Sequence, residues 1–236
     1  HMRFLKETLI AQKQVRARIH KLTSNTLPAP IVKAIALGEY NYCKVYQNTT
    51  VLQADMVGFT PLSSRYSAEV VLGILSDIFE EFDSLAETHK VDKVKTIGDA
   101  YIVCAGALSE SRGKADDAMR VVRMGLAMQD VVEHIAATKK VDGSEEKLDI
   151  AVRLGVHTGR CTGGIIGTVR FHFDMWGGAV VGAVKMEESG EKRRVHVSDK
   201  TQALLDERLF LFEVTLTLTL TAHLSPLTAH LSPLPP

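Results

Sequence analysis

The sequence predicts an α/β or α+β sandwich, on two observations and one rule of packing. Amphipathic helical stripes alternate with short apolar segments of strand character. Two of those segments, Val91 to Ile97 and Ala100 to Ala105, meet at a tight Gly98-Asp99 turn. Strands interleaved with helices and hairpins bury their apolar faces by packing a sheet under helices.

Taken in order, Arg3 to His20 is polar and basic, with Phe4, Leu5, Leu9, Ile10, Val15 and Ile19 at loosely helical intervals. Residues 1–25 therefore read as a connector or signalling helix. Leu27-Pro28-Ala29-Pro30 breaks it, and Ile31 to Leu37 is a short helix ended by Gly38. The globular domain is expected over 26–214. Thr49 to Ala54 is a strand leading into Asp55-Met56-Val57-Gly58-Phe59-Thr60. After Pro61, Val70, Val71, Ile74, Leu75, Ile78, Phe79, Phe82 and Leu85 recur at helical steps and mark a long core helix. The hairpin around Asp99 follows. A second helix spans Lys114 to Thr138, with Ala118, Val121, Gly125, Met128, Val132 and Ile135 on one stripe. Asp142 to Lys147 reads as a loop and Asp149 to Thr158 as a strand, after which Gly159, Gly163, Gly164 and Gly167 punctuate the chain. Val180 to Glu187 reads as a helix and Arg194 to Val197 as a strand. Residues 215–236 form a low-complexity tail in which TAHLSPL, residues 221–227, is repeated as 228–234, and little of it is expected to join the core.

Composition narrows the function. The chain has 236 residues, 45% of them hydrophobic, enough for one sizeable core. Its 28 basic and 28 acidic residues give no net field toward nucleic acid or an anionic membrane. An anionic ligand must therefore be held locally. Cys43, Cys104 and Cys161 show no metal-ligand or CxxC spacing and suit a reducing, cytoplasmic setting. The longest strongly apolar run, Ala100 to Leu108, falls well short of the ~20 residues that span a bilayer. No membrane segment is expected in this chain, although a longer parent protein could carry one elsewhere.

Asp55 and Asp99 sit at strand ends and approach each other if their strands are neighbours. Mg2+ takes hard oxygen ligands, commonly one or two carboxylates, with phosphate and water completing its shell. The glycine in Val57-Gly58-Phe59-Thr60 lets backbone N–H groups come close to phosphate oxygens. A carboxylate pair beside such a turn is suited to a metal-bound nucleotide.

Four segments in order, ADMVGFTPLS (54–63), KVKTIGDAYIV (93–103), RLGVHTGRCTGGIIG (153–167) and FDMWGGAVVGAVKMEESG (173–190), resemble the catalytic domains of class III adenylyl and guanylyl cyclases. Leu27-Pro28 resembles the family's Leu-Pro helix. The resemblance implies a ferredoxin-like α/β sandwich of the α+β class, with the active site at a dimer interface. It also implies that Asp55, Asp99 and the Met56 carbonyl hold two Mg2+ or Mn2+ ions. Gly58, Phe59 and Thr60 would cradle phosphate and Arg153 would clamp it. Lys95 and Asp174 stand where the family reads adenine, and an ammonium and a carboxylate do match adenine's ring nitrogen and amine.

The sequence departs from that pattern where the family places a ribose-orienting asparagine and a transition-state arginine. Those positions hold Val181 and Lys185. Valine offers ribose no hydrogen bond, and lysine replaces a planar fork with a point charge. The same departure is similar to the metal-bearing first catalytic domain of membrane adenylyl cyclases. The expected function is thus conversion of ATP to cyclic AMP and pyrophosphate in a homodimer or, more in keeping with Val181 and Lys185, with a complementary second cyclase domain. Guanylyl cyclase activity and a non-catalytic regulatory domain are the alternatives. The family's Lys-Gly-rich closing hairpin has no counterpart after Val214.

Overall fold

The computed structural model describes residues 12–14, 27–141, 147–167, 171–215 and 228–233. These fall into two compact units, one within His1–Lys44 and Gly163–Asp174, the other within Val45–Thr162 and Met175–Pro236. In the smaller unit, helix α1 (Ala29–Ala36) begins behind Pro28 and gives way to Gly38 at φ 86°. Proline in the first turn forgoes an N–H that the helix could not use, and glycine accepts the left-handed conformation that ends it. Tyr40 stacks on Phe171 with centroids 5.8 Å apart, and Ile165 N–H donates to the Tyr42 carbonyl at 3.0 Å.

The larger unit is built on one sheet. Its elements are β1 (Cys43–Val57), α2 (Phe59–Arg65), α3 (Ala68–His89), β2 (Asp92–Ile97), β3 (Ala100–Ala105), α4 (Lys114–Thr138) and β4 (Ala151–Ile166). They are followed by β5 (His172–Trp176), α5 (Gly178–Glu188), β6 (Val195–Val197), α6 (Asp199–Gln202), β7 (Phe210–Thr215) and β8 (Thr228–Pro233), the residues Cys43–Lys44 of β1, Gly163–Ile166 of β4 and His172–Asp174 of β5 being counted with the smaller unit. The strand order is β2-β3-β1-β4-β6-β8-β7, with β5 pairing with β4. β3 lies antiparallel to both β1 and β2, and β4 runs parallel to β6. The run β1-α3-β2-β3-α4-β4 is the ferredoxin-like unit, so the α+β expectation holds.

Two long helices cover the sheet. Helix α3 buries Val71, Ile74, Ile78, Phe82 and Ala86 at three- and four-residue steps, starts where Ser67 Oγ accepts from Val70 N–H, and ends at left-handed Lys90. Helix α4 carries Asp116 and Asp117 in its first turn, where acidic side chains oppose the helix dipole. Asp117 is buried and accepts from Ser111 Oγ, Arg112 N–H and Arg120. These helices pack Phe82, Met124 and Met128 into a core with Leu52, Ala54, Tyr101 and Val103. Gly125 lets α4 sit close, since a Cβ there would stand 2.9 Å from Leu52 Cδ1.

The structure departs from sequence expectation in four places. Helix α2 forms directly after Gly58, where only a turn was expected. Strand β1 begins at Cys43, well before Thr49, because its first residues are exposed and carry no burial pattern for sequence to read. Strand β4 continues through Gly159, Gly163 and Gly164 to Ile166 instead of stopping, and β5 follows it as an unexpected short strand. Most notable is the tail: Thr228–Pro233, the second repeat copy, enters the sheet between β6 and β7, pairing Val195 with Leu231 and Phe212 with Leu231. The β7–β8 pair stands at the sheet edge, where a closing hairpin could not be recognised from sequence. The connector-helix residues other than 12–14, the loop over 142–146 and residues 216–227 lie outside the described residues.

Candidate active site

Neighbouring strands deliver the two aspartates to one end of the sheet. Asp55 lies near the end of β1, and Asp99 lies in the β2–β3 turn beside Gly98, which has φ 60°. The β1–β3 register pairs Ala54 with Tyr101, so the next step along the antiparallel pair sets Asp55 opposite Ala100, the immediate neighbour of Asp99. The charges feel each other. Burial, first, and the Asp99 carboxylate, second, push the Asp55 carboxyl above its ordinary range, while Arg153 pulls in the opposite direction.

Arg153 reaches the pair from β4, the other neighbour of β1. Its Nη2 lies 3.4 Å from Asp55 Oδ2. Asp55 is thus within reach of Arg153 and close enough to Asp99 for the two charges to interact. Next to them Gly58 caps α2 in the left-handed conformation, φ 90°, and a Cβ there would overlap the Asp149 carbonyl oxygen. Both constraints exclude larger residues. The amides of Phe59 and Thr60 then form the first turn of α2, where a helix has no internal partner for its N–H groups.

The donor set fits a nucleotide-borne cation. The Asp55 carboxyl, whose ionisation is disfavoured by burial and by the neighbouring Asp99 charge, gains from a cation beside it, and Mg2+ requires no more protein carboxylates than these two. Among the described residues no group of three or more His, Cys, Asp or Glu side chains could enclose a metal by itself. Phosphate, water and a main-chain carbonyl such as that of Met56 would complete the shell.

The remaining expected residues are placed separately. Lys95 lies on β2 opposite Ile102, just past an irregularity in the pairing, and is half-buried. Asp174 is half-buried on β5, within the smaller unit. Val181 and Lys185 lie one helical turn apart on the exposed face of α5, Val181 being 53% exposed. The opposite face of α5 is lined by Ala179, Ala183 and Glu187.

Glu187 is the site residue that sequence reasoning missed. Although only 3% exposed, it sits on Arg153, accepting from Nε at 2.8 Å with Nη2 at 2.7 Å. Burial pushes its carboxyl up, and the Arg153 guanidinium opposes that shift. The available signal was an acid at the third position of an otherwise small, apolar i, i+4, i+8 stripe.

Residues 41–229 match the family model described as the adenylate and guanylate cyclase catalytic domain. Adenylate cyclase type 9 of Xenopus laevis is 38% identical over 162 residues, 69% of this chain and 12% of the relative. A membrane guanylyl cyclase of Dictyostelium discoideum is 33% identical over 192 residues, 81% of this chain and again 12% of the relative. The chain therefore spans only a small part of these proteins. The crystal structure of the guanylate cyclase domain of RhGC from Catenaria anguillulae, in complex with GTP, superposes with a TM-score of 0.69 at 29% identity, covering 80% of this chain and 98% of that one. A family model that matches most of the chain, together with a shared fold, shows that this protein belongs to the adenylate and guanylate cyclase catalytic domain family, the class III nucleotide cyclases.

Proposed function

We propose that this chain converts a purine nucleoside triphosphate, ATP in preference to GTP, into its cyclic monophosphate and pyrophosphate, as the metal-bearing half of a heterodimer or pseudo-heterodimer. The observation that carries this reading is the convergence of Asp55, Asp99 and Arg153 at one sheet end, while α5 exposes Val181 and Lys185. Held by Asp55, Asp99 and the Met56 carbonyl, two Mg2+ or Mn2+ ions would supply Lewis acidity for the attacking ribose oxygen and charge neutralisation for the triphosphate. The chain's own groups do the rest. Phe59 and Thr60 amides, admitted by Gly58, bind phosphate oxygens, and Arg153 adds a charged fork. This orients the α-phosphate for in-line attack by the 3'-hydroxyl. The new O–P bond closes the ring, the bond to pyrophosphate breaks, and the hydroxyl proton leaves to solvent.

Lys95 and Asp174 favour adenine by their chemistry. A partner that supplied the base pocket would take that decision away from them, so guanylyl cyclase activity is the second reading, supported by the guanylyl cyclases among the relatives. A non-catalytic regulatory domain is disfavoured, because crowded carboxylates raise the cost of the fold without a cation to hold. The proposed location is the cytoplasm, either as an independent protein or as the cytosolic part of a larger membrane protein. Among the described residues no helix is long and apolar enough to cross a membrane.

The test is product formation from ATP and GTP, each with Mg2+ or Mn2+. The chain alone should turn over well below about 1 per second, the lower end of ordinary enzyme rates. Val181→Asn with Lys185→Arg should raise that rate by about tenfold or more, the scale on which a transition-state donor acts. A fast unmodified chain would sink the half-site reading and make the homodimer the enzyme.

A further inference from the structure

Arg153 is the cation of this site, yet its firmest contacts are not with the aspartates. Nε donates to Glu187 Oε1 at 2.8 Å and Nη2 lies 2.7 Å from the same oxygen, whereas Asp55 is reached only at 3.4 Å. The backbone arranges this. Gly155 is two residues from Arg153 and so shares its face of β4. A Cβ on Gly155 would overlap the Glu187 amide nitrogen and the Ala183 carbonyl oxygen. Its absence lets the last turn of α5 rest on the strand, which brings Glu187 against Arg153. A carboxylate this buried is costly unless it is paired, and a long cationic side chain that is 33% exposed would otherwise sample many rotamers. Each group answers the other's need.

We propose that Glu187 is a positioning residue that grips Arg153 by its Nε and Nη2 edge and so presents Nη1 to the nucleotide's triphosphate, an assignment that rests on the nucleotide-cyclase reading above. The long contact to Asp55 is the one that gives way when cations neutralise the carboxylate pair. The two short contacts to Glu187 remain. Arg153 thereby serves the empty cleft as a counter-charge for Asp55 and the filled cleft as a phosphate clamp, without having to be ordered anew.

The experiment is a double-mutant cycle read by binding, with 3'-deoxy-ATP and 3'-deoxy-GTP as probes in the presence of Mn2+, since neither can be cyclised. Glu187→Gln keeps the shape and removes the charge. It should weaken binding about tenfold, as expected for loss of a charge-assisted hydrogen bond, and by less than about twofold when Arg153→Ala is already present. Equal weakening in both backgrounds, or none in either, overturns the proposal. A second arm follows the Arg153 Nε–H signal by nitrogen-15 NMR in the ligand-free chain. It should be protected from exchange in the parent and lose that protection in Glu187→Gln; an unchanged signal overturns the grip directly. A parent chain that binds neither nucleotide overturns the nucleotide reading and the ligand assigned to Arg153, and the NMR arm then still decides whether Glu187 orients the arginine.

Discussion

At the scale of single residues, the site gathers charges that oppose one another. Burial and the Asp99 charge disfavour ionisation of Asp55, and Arg153, held more closely by Glu187, offsets this only through a long contact. Removing one carboxylate should therefore relieve the fold while ending its function. Asp99→Asn is expected to leave the stability of the ligand-free chain unchanged or slightly raised, by under about 1 kcal/mol. The same variant should lose the stabilisation that nucleotide with Mn2+ gives the parent, which thermal scans with and without both would show. Gly58 is constrained twice, by φ 90° and by the Asp149 carbonyl. Gly58→Ala should cost about 3 kcal/mol through strain and overpacking, measured by urea unfolding. A variant as stable as the parent would mean that the α2 start relaxes easily. Asp55, Asp99 and Gly58 were legible in sequence because strand ends and turn glycines leave local marks. Glu187 was not, because its significance depends on what β4 places beneath it.

At the scale of elements, α5 has two duties on two faces. Its buried stripe, Ala179, Ala183 and Glu187, seats it on β4, where Gly155 and Gly159 permit close approach. Its exposed face carries Val181 and Lys185, so Val181→Asn and Lys185→Arg should change activity with little change in stability, within about 0.5 kcal/mol, as surface substitutions usually do. Urea unfolding of the double variant checks this; a large loss would place those side chains in the packing. By contrast, α3 is an element of the core, and Phe82→Ala should cost about 3–5 kcal/mol by the cavity it leaves among Phe79 and Tyr101. The long helices were legible, α4 to the residue and α3 by its stripe from Val70 to Leu85, since a 3.6-residue apolar stripe sustained over many turns has few alternative readings. The short strands β5 and β8 were not. Five or six residues carry little periodicity, and β8 pairs with strands far from it in sequence.

At the scale of the whole molecule, pH response follows from imidazoles that the fold wholly or partly withdraws from water. Burial lowers His89, His157 and His196 below their ordinary 6.5, with Arg123 adding to the effect at His89 and Lys200 at His157. The sign is set by proton uptake. Below 6.5 the unfolded chain binds more protons at these positions than the folded one, so their contribution to stability is complete above 6.5 and falls as pH drops below it. Asp55 and Glu187, raised in the fold, act in the opposite direction at lower pH, as carboxyls begin to protonate. Urea unfolding at pH 7.5 and 5.5 should show lower stability at the acidic value, with a smaller difference in His157→Gln. Equal stabilities in the parent would show that the imidazoles remain hydrated.

By itself the sequence determined the two long helices, the hairpin that carries Asp99, the pair Asp55 and Asp99 at strand ends, and the unusual Val181 and Lys185, because each is written in periodicity, turn chemistry or ordered motifs. Only the tertiary structure decided that Arg153 stands between Asp55 and a buried Glu187, and that a repeat copy completes the sheet edge. Those depend on strand order and on the closeness of a helix to a strand. Both are settled by packing between segments distant in the chain, for which local sequence holds no record.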